Sequence, residues 1–295
     1  MKQTQASGYI YALLAFSIFA AQDAISKHLG ELYSPVFIAM IRYWWFGAFA
    51  IIWAMRSSGG LKAVASTSRP FLQIARGLLL AGQIITAILS FATVGLAHSQ
   101  AIFSAAPLVV AVLSVPLLGE HVGWRRWTAI CIGFIGVMII LKPEGGALES
   151  DLLIPVLNVL GLAVYGVLTR LANRTDSSMT SFFYTGVVGA VAMTLIGPFF
   201  WSSPTLADWG FIAIICITGM TSHFCLIKSY ETLDAVLVQP LSYLQLVFAS
   251  LIGMFLFGEV IRANVVLGSV IVVCAGLFTI WREAMARRSA RMGST

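Results

Sequence analysis

Charge is what this sequence has least of. Only 10% of its 295 residues are Asp, Glu, Lys or Arg, against about 25% in ordinary globular domains. So few charges cannot build a soluble surface, and a disordered chain needs the opposite balance of high charge and low hydrophobicity. Histidine and cysteine are equally sparse, at four each. His28, His98, His121 and His223 fall in four different segments, with no C-x-x-C pair and no Ser-His-Asp or metal spacing. A metal centre, a disulfide framework and an intramembrane enzyme are therefore disfavoured, and no cofactor is expected. Cys131, Cys216, Cys225 and Cys274 all lie in apolar stretches, where small core filler is their expected role. Long polar segments are missing as well. The longest breaks, Arg56 to Pro70 and Pro143 to Asp151, are too short for a folded domain, so any function must sit among apolar segments. The net charge of +6 is scattered between those segments without a basic patch, which argues against nucleic acid as a partner.

What the chain does have is apolar runs, with 59% hydrophobic residues. A bilayer-crossing helix needs about 20 mostly apolar residues. Ten runs qualify, near 8–28, 36–55, 71–94, 97–118, 124–141, 152–172, 179–200, 209–230, 236–257 and 263–283. The expected fold is an all-α integral membrane protein whose main surroundings are the lipid bilayer. Pro35, Pro70 and Pro155 stand at expected helix starts, and Pro143 and Pro198 at ends. Lys2 precedes the first run, but no clear A-x-A site follows it, so that run reads as a span and not as a cleaved signal. With the N-terminus on the cytoplasmic side, fourteen Lys and Arg fall in inside segments and three (Lys27, Lys142 and Arg262) outside. That is the bias of the positive-inside rule, and it places both termini in the cytoplasm.

The sequence also repeats itself. At an offset of 139 residues Ser90-Phe91-Ala92-Thr93 matches Ser229-Tyr230-Glu231-Thr232, Gln100 matches Gln239, and Gly119-Glu120 matches Gly258-Glu259. At an offset of 143, Ser26-Lys27 matches Thr169-Arg170. Residues 1–143 and 150–295 thus form two units of five spans. An odd number per unit turns the second copy upside down in the membrane, and inverted repeats are typical of secondary transporters with a substrate site at the repeat interface. A duplicated scaffold without transport is the plainer alternative.

These residues resemble the EamA module of the drug/metabolite transporter superfamily. The Gly-Glu pairs after spans four and nine, Lys27 ending span one, Arg42 in span two, Pro240 in span nine and Tyr165-Gly166-Val167-Leu168-Thr169-Arg170 in span six carry the likeness. Phe19-Ala20 departs from it, standing where Trp-Gly is common. The resemblance implies ten helices, a central cavity between the halves and alternating access. Its overall character is most similar to bacterial amino-acid and metabolite exporters, the aromatic amino-acid branch included. That implies export of a small polar metabolite, foremost an amino acid, from a bacterial inner membrane. A drug, organic-cation or nucleotide-sugar carrier is the alternative within the superfamily, and a channel has no positive signal. A monomer is expected.

Within the spans, ionisable residues are functional candidates because they are expensive there. Asp23 and Lys27 lie one helical turn apart, which makes an intrahelical ion pair the plain expectation, and Arg42 is a further partner for Asp23. The functional alternative has Arg42 or Lys27 drawing a substrate carboxylate to the outer mouth. No carboxylate is expected at the middle of a span, which disfavours an antiporter built around a central Glu and points to facilitated exchange or weakly coupled export, driven mainly by the substrate gradient. His223 is either a titrating group or a packing residue. Gln22, Gln83, Thr86 and Asn158 either bind substrate or join helices. Tyr43 and Tyr165 are aromatic candidates for the cavity wall; of Tyr43-Trp44-Trp45 and of Phe182-Phe183-Tyr184, one or two each can face it. Spans four and nine carry an interior proline each, Pro107 and Pro240, and matching small or polar stripes. The stripes read Gln100, Ser104, Pro107, Ala111, Ser114 and Gln239, Tyr243, Leu246, Ser250, Gly253. Interrupted helices in matching places are the best sequence pointer to a transport path, while packing seams are the plain reading. In spans five and ten, Ala129, Gly133, Gly268 and Gly276 predict close helix packing and a scaffold role.

Overall fold

Apolar runs bounded by proline, glycine and short polar breaks satisfy their backbone only as helices in a medium without water, and every described span is helical. The protein, here a computed structural model, is described over residues 2–118, 123–141, 150–172, 174–232 and 238–292. In chain order the helices are α1 (Lys2–Leu32), α2 (Pro35–Arg56), α3 (Gly60–Ala65), α4 (Pro70–Thr93), α5 (Leu96–Phe103), α6 (Ala106–Leu118), α7 (Trp124–Leu141), α8 (Leu153–Ala172), α9 (Ser178–Ile196), α10 (Leu206–Thr232), α11 (Tyr243–Phe257) and α12 (Ala263–Met292). Eight segments are long and apolar enough to cross a bilayer, and Trp127–Leu141 and Tyr243–Phe257 are shorter apolar helices at the fifth and ninth positions. Pro35 and Pro70 open α2 and α4, where a missing N–H costs nothing.

The interruption expected at Pro107 is formed, and the interior place expected for Pro240 is corrected. Span four is not one helix: α5 stops at Phe103 and α6 resumes at Ala106, across a turn at Ser104-Ala105. The cause is Pro107, which cannot donate a backbone bond to Phe103 and would crowd its carbonyl; the Ser104 hydroxyl turns back to the Ala101 carbonyl instead, at 2.6 Å. In span nine Pro240 is not interior to an α-helix. It lies in a 3-10 turn, Gln239–Ser242, that precedes α11. The side chains of Gln239, Pro240 and Arg170, and all of Gly119-Glu120, Lys142 and Pro143, lie outside the described residues.

The helices pack in corresponding pairs. α1 runs against α10 and α11, and α8 runs against α4 and α6; α2 lies on α9, and α7 on α12. The last pair is a small-residue seam. A Cβ on Gly268 would stand 2.5 Å from the Gly136 carbonyl oxygen, and one on Gly133 would stand 3.2 Å from the Ala275 β-carbon. Asn264 adds bonds to the carbonyls of Ile139 and Ile140 at 3.1 and 3.2 Å. Outward faces are apolar, with Leu14, Ile52, Phe71, Ile135, Leu195 and Phe255 among the exposed side chains; an apolar surface of this extent belongs in lipid. Cys131 and Cys274 face outward and are not core filler, whereas Cys216 and Cys225 are buried. Among the described residues no group of His, Cys, Asp and Glu could hold a metal ion.

Candidate transport site

The Gly-Glu pair after α11 acquires a physical meaning in the structure. Gly258 takes a left-handed conformation, φ +64, that ends α11 and folds the chain back, so the Glu259 amide reaches the Gly253 carbonyl at 3.0 Å. The Glu259 carboxylate then sits among Gly95 and Gly253, where no β-carbons intrude. It accepts the backbone N–H of Leu96 at 2.7 Å and of Ala97 at 2.9 Å, the free donors at the start of α5. Lys27 donates to the same carboxylate at 2.6 Å. Burial alone would raise the Glu259 carboxyl. The Lys27 hydrogen bond and the two backbone donors outweigh it and hold the group below its ordinary value. One carboxylate thus ties α1, the start of α5 and the end of α11 together, and a cleft of about 460 Å³ opens beside it.

Asp23 lies one turn deeper on α1. The Asp23–Lys27 and Asp23–Arg42 ion pairs expected from spacing are not formed: Lys27 belongs to Glu259, with Glu31 behind it at 3.5 Å. Asp23 faces α5 and α11 instead, where the carboxamides of Gln100 and Gln245 both donate to its Oδ2 at 2.7 Å. Its Oδ1 receives no hydrogen bond from the described residues. Asp23 is four residues past the middle of the Ala6–Leu32 span, about 6 Å by helical rise. Gln245, 222 residues away in sequence, was not among the residues singled out from sequence.

Arg42, on α2, comes beside Gln22 of α1 at Gly219. It lines a small crevice with Tyr43, Phe46, Gly219 and His223, has no carboxylate within 4.0 Å among the described residues, and lies within electrostatic reach of Asp23. Beside it Gln22 is buried, its Oε1 unpaired, as is the hydroxyl of buried Tyr43. Aromatic rings continue from there: His223 lies edge-on to Phe19 at 5.2 Å and parallel to Phe46 at 6.3 Å, and Phe46 meets Phe182 at 4.7 Å. Tyr43 is buried while Trp44 and Trp45 point outward.

At the other end of the bundle, a second polar cluster joins α4, α8 and α9. Buried Arg76 donates to Gln73 and to Thr169 and lies over the Tyr165 ring at 5.3 Å. Gln73 donates to Asp176 at 2.7 Å, which also accepts from Thr67. Burial would raise the Asp176 carboxyl, but the Thr67 and Gln73 hydrogen bonds, with Thr175 and the nearby Arg69, bring it below its ordinary value. Gln83, Thr86 and Asn158 bond one another across α4 and α8 and so join helices. Of the stripe in span four, Gln100, Ser104, Ala111 and Ser114 are buried and Pro107 is half-buried; in α11, Tyr243, Leu246 and Gly253 are buried and Ser250 half-buried. Tyr243 packs its hydroxyl over Gly276 of α12.

A family profile, that of the EamA-like transporter family, matches residues 6–142 and again 150–281. The chain belongs to the EamA-like transporter family. It is a multi-pass membrane transporter and not an enzyme. It is 28% identical to an S-adenosylmethionine uptake transporter of Rickettsia bellii, over 96% of this chain and 97% of that one. A riboflavin transporter of Rhizobium johnstonii is 26% identical over 95% and 92%, and a pseudopaline exporter of Pseudomonas aeruginosa 25% over 91% and 94%. A crystal structure with 17% identity matches the fold at a TM-score of 0.60, covering 98% of this EamA chain and 99% of that one. The family membership expected from the motifs holds. The named substrates of these relatives are not amino acids specifically, and uptake and export both occur among their names.

Proposed function

We propose that this EamA-family transporter carries an organic metabolite bearing both signs of charge, of the S-adenosylmethionine class, by alternating access between its two five-helix units. One observation carries the reading: Asp23 of α1 and Arg42 of α2 are each without an ion partner within 4.0 Å among the described residues. Holding charges inside a bilayer is expensive, so unneutralised ones are functional by default. Lys27 and Glu259 neutralise one another, and Arg76 is held by Gln73 and Thr169 at the other end of the bundle. Asp23 and Arg42 therefore offer this region one anion and one cation, which suits a zwitterion or a zwitterion with an added positive centre. The ring series Phe19, His223, Phe46 and Phe182 supports the same substrate class, since aromatic faces stack on a heterocycle. So does the full-length similarity to S-adenosylmethionine uptake transporters.

The Lys and Arg distribution supports cytoplasmic termini and a bacterial inner-membrane location, which puts the Lys27–Glu259 bridge on the outer side as a closure. The exposed cleft beside it then faces the periplasm. The test is uptake of radiolabelled S-adenosylmethionine into proteoliposomes, with S-adenosylhomocysteine, L-methionine, L-phenylalanine and riboflavin as competitors. Saturable uptake, acceleration by substrate preloaded inside, and competition by the adenosylated compounds are expected. Asp23→Asn should lower uptake at least about tenfold by removing the partner of a positive group. Failure to move S-adenosylmethionine while riboflavin or L-phenylalanine is carried would overturn the reading.

A further inference from the structure

The polar atoms around Gly219 form a set that none of the described residues completes. On α1, Gln22 is only 5% exposed, and its Oε1 accepts no hydrogen bond. On α2, the Arg42 guanidinium faces the same spot without a carboxylate within 4.0 Å among the described residues. Gly219 of α10 lies between them: a Cβ built there would stand 2.9 Å from Gln22 Oε1 and 3.6 Å from Arg42 Nη2. A glycine at that point keeps both polar atoms approachable. Buried acceptors and cations ordinarily find partners, and an orphaned one is costly. A donor–acceptor pair held open side by side therefore calls for a ligand with the complementary pair.

An α-amino-acid end has that pair on one carbon. Its carboxylate is a planar two-oxygen acceptor that matches the guanidinium fork, and its ammonium is a donor for a carboxamide oxygen. We propose that Arg42 and Gln22 bind the carboxylate and the ammonium of an α-amino-acid group, seated over Gly219. Phe46 and His223 form the near wall of that seat, and the rest of the substrate extends from it along the aromatic series. The proposal rests on the reading of the protein as a carrier of charged metabolites, but it concerns the amino-acid end alone. It gives Gln22, one of the polar candidates in the spans, a specific role, and it adds Gly219, which neither spacing nor the family motifs pointed out.

Direct binding to the purified full-length protein in nanodiscs tests it, by titration calorimetry with S-adenosylmethionine, decarboxylated S-adenosylmethionine and 5′-methylthioadenosine. The wild type should bind S-adenosylmethionine at least about tenfold more tightly than its decarboxylated form, the loss expected for one charge-assisted pair. Arg42→Gln should erase that preference, and Arg42→Lys should keep part of it. Gly219→Ala should weaken S-adenosylmethionine at least about fivefold and leave 5′-methylthioadenosine unchanged, since the added methyl meets only the amino-acid end. The measured quantity is a ratio between ligands, so a general weakening of a variant does not mimic the result. Equal wild-type affinity for the carboxylate-bearing and carboxylate-free ligands, or a preference that survives Arg42→Gln, overturns the proposal while leaving transport of adenosylated compounds intact. If no adenosylated compound binds, that reading of the substrate fails on its own. The same ratio is then taken between L-methionine and 3-(methylthio)propylamine: a tenfold preference that Arg42→Gln erases upholds the amino-acid seat, and equal binding sinks it.

Discussion

Glu259 accepts from Lys27 and from two backbone amides that begin α5, so its removal unties three segments at once. Glu259→Gln keeps the shape but loses the charge, and should destabilise the protein by about 2 kcal/mol, lowering the melting temperature by about 4–8 °C. The pH dependence has a definite sign. A carboxyl held below its ordinary value of 4.5 contributes its full stabilisation above that pH and loses it as the pH falls through and below it. The gap in melting temperature between wild type and Glu259→Gln should therefore be widest near neutrality and close below about pH 4; a gap independent of pH would show that the charge is not what matters. The sequence pointed to Gly258-Glu259 through the repeat and the family resemblance, without its role. Asp23 was visible as an intramembrane carboxylate, but its partner was not. Helical spacing names neighbours on the same helix, while Gln245 arrives from another helix through the fold, and no periodicity encodes that.

Helices were the most legible scale, because twenty apolar residues can do little else in a bilayer and prolines mark where they begin. What spacing could not decide was how Pro107 and Pro240 would be accommodated. Each prevents a regular α-helix at its position, but one splits a span into α5 and α6 and the other sets a 3-10 turn ahead of α11. The small residues of spans five and ten were read as a seam, and the α7–α12 contact is one. With the Gly136 carbonyl 2.5 Å from where a Gly268 Cβ would be, Gly268→Leu must push the two helices apart. It should cost about 2–3 kcal/mol or more, seen as a lower melting temperature in detergent, with any surviving protein keeping its ligand affinity. Unchanged stability would mean that the seam is open in the membrane.

At the scale of the whole molecule, two related units meet in a core that is not symmetric in charge. Asp23 in the first unit corresponds, at the offset that pairs Lys27 with Arg170, to Gly166 in the second, so the carboxylate has no counterpart. If the Lys27–Glu259 bridge closes the outer side, releasing it should expose Asp23 and Gln245 to that side. A cysteine at Gln245, in a background freed of the four native thiols, should label slowly with an impermeant reagent in otherwise unchanged protein. In the Glu259→Ala background it should label at least about tenfold faster; equal rates would place the closure elsewhere. The same bridge makes the two faces of the membrane unequal. A solute arriving at the bridged face meets only the minority of molecules in which the bridge has parted, and its apparent dissociation constant there is the intrinsic one divided by that minority fraction. The opposite face has no Lys27–Glu259 bridge, and the handicap there is set by the different contacts of the Arg76 cluster. The half-saturation concentrations for entry and exit should then differ although the pocket is one and the same, giving the carrier a kinetic rectification to which that one ion pair contributes.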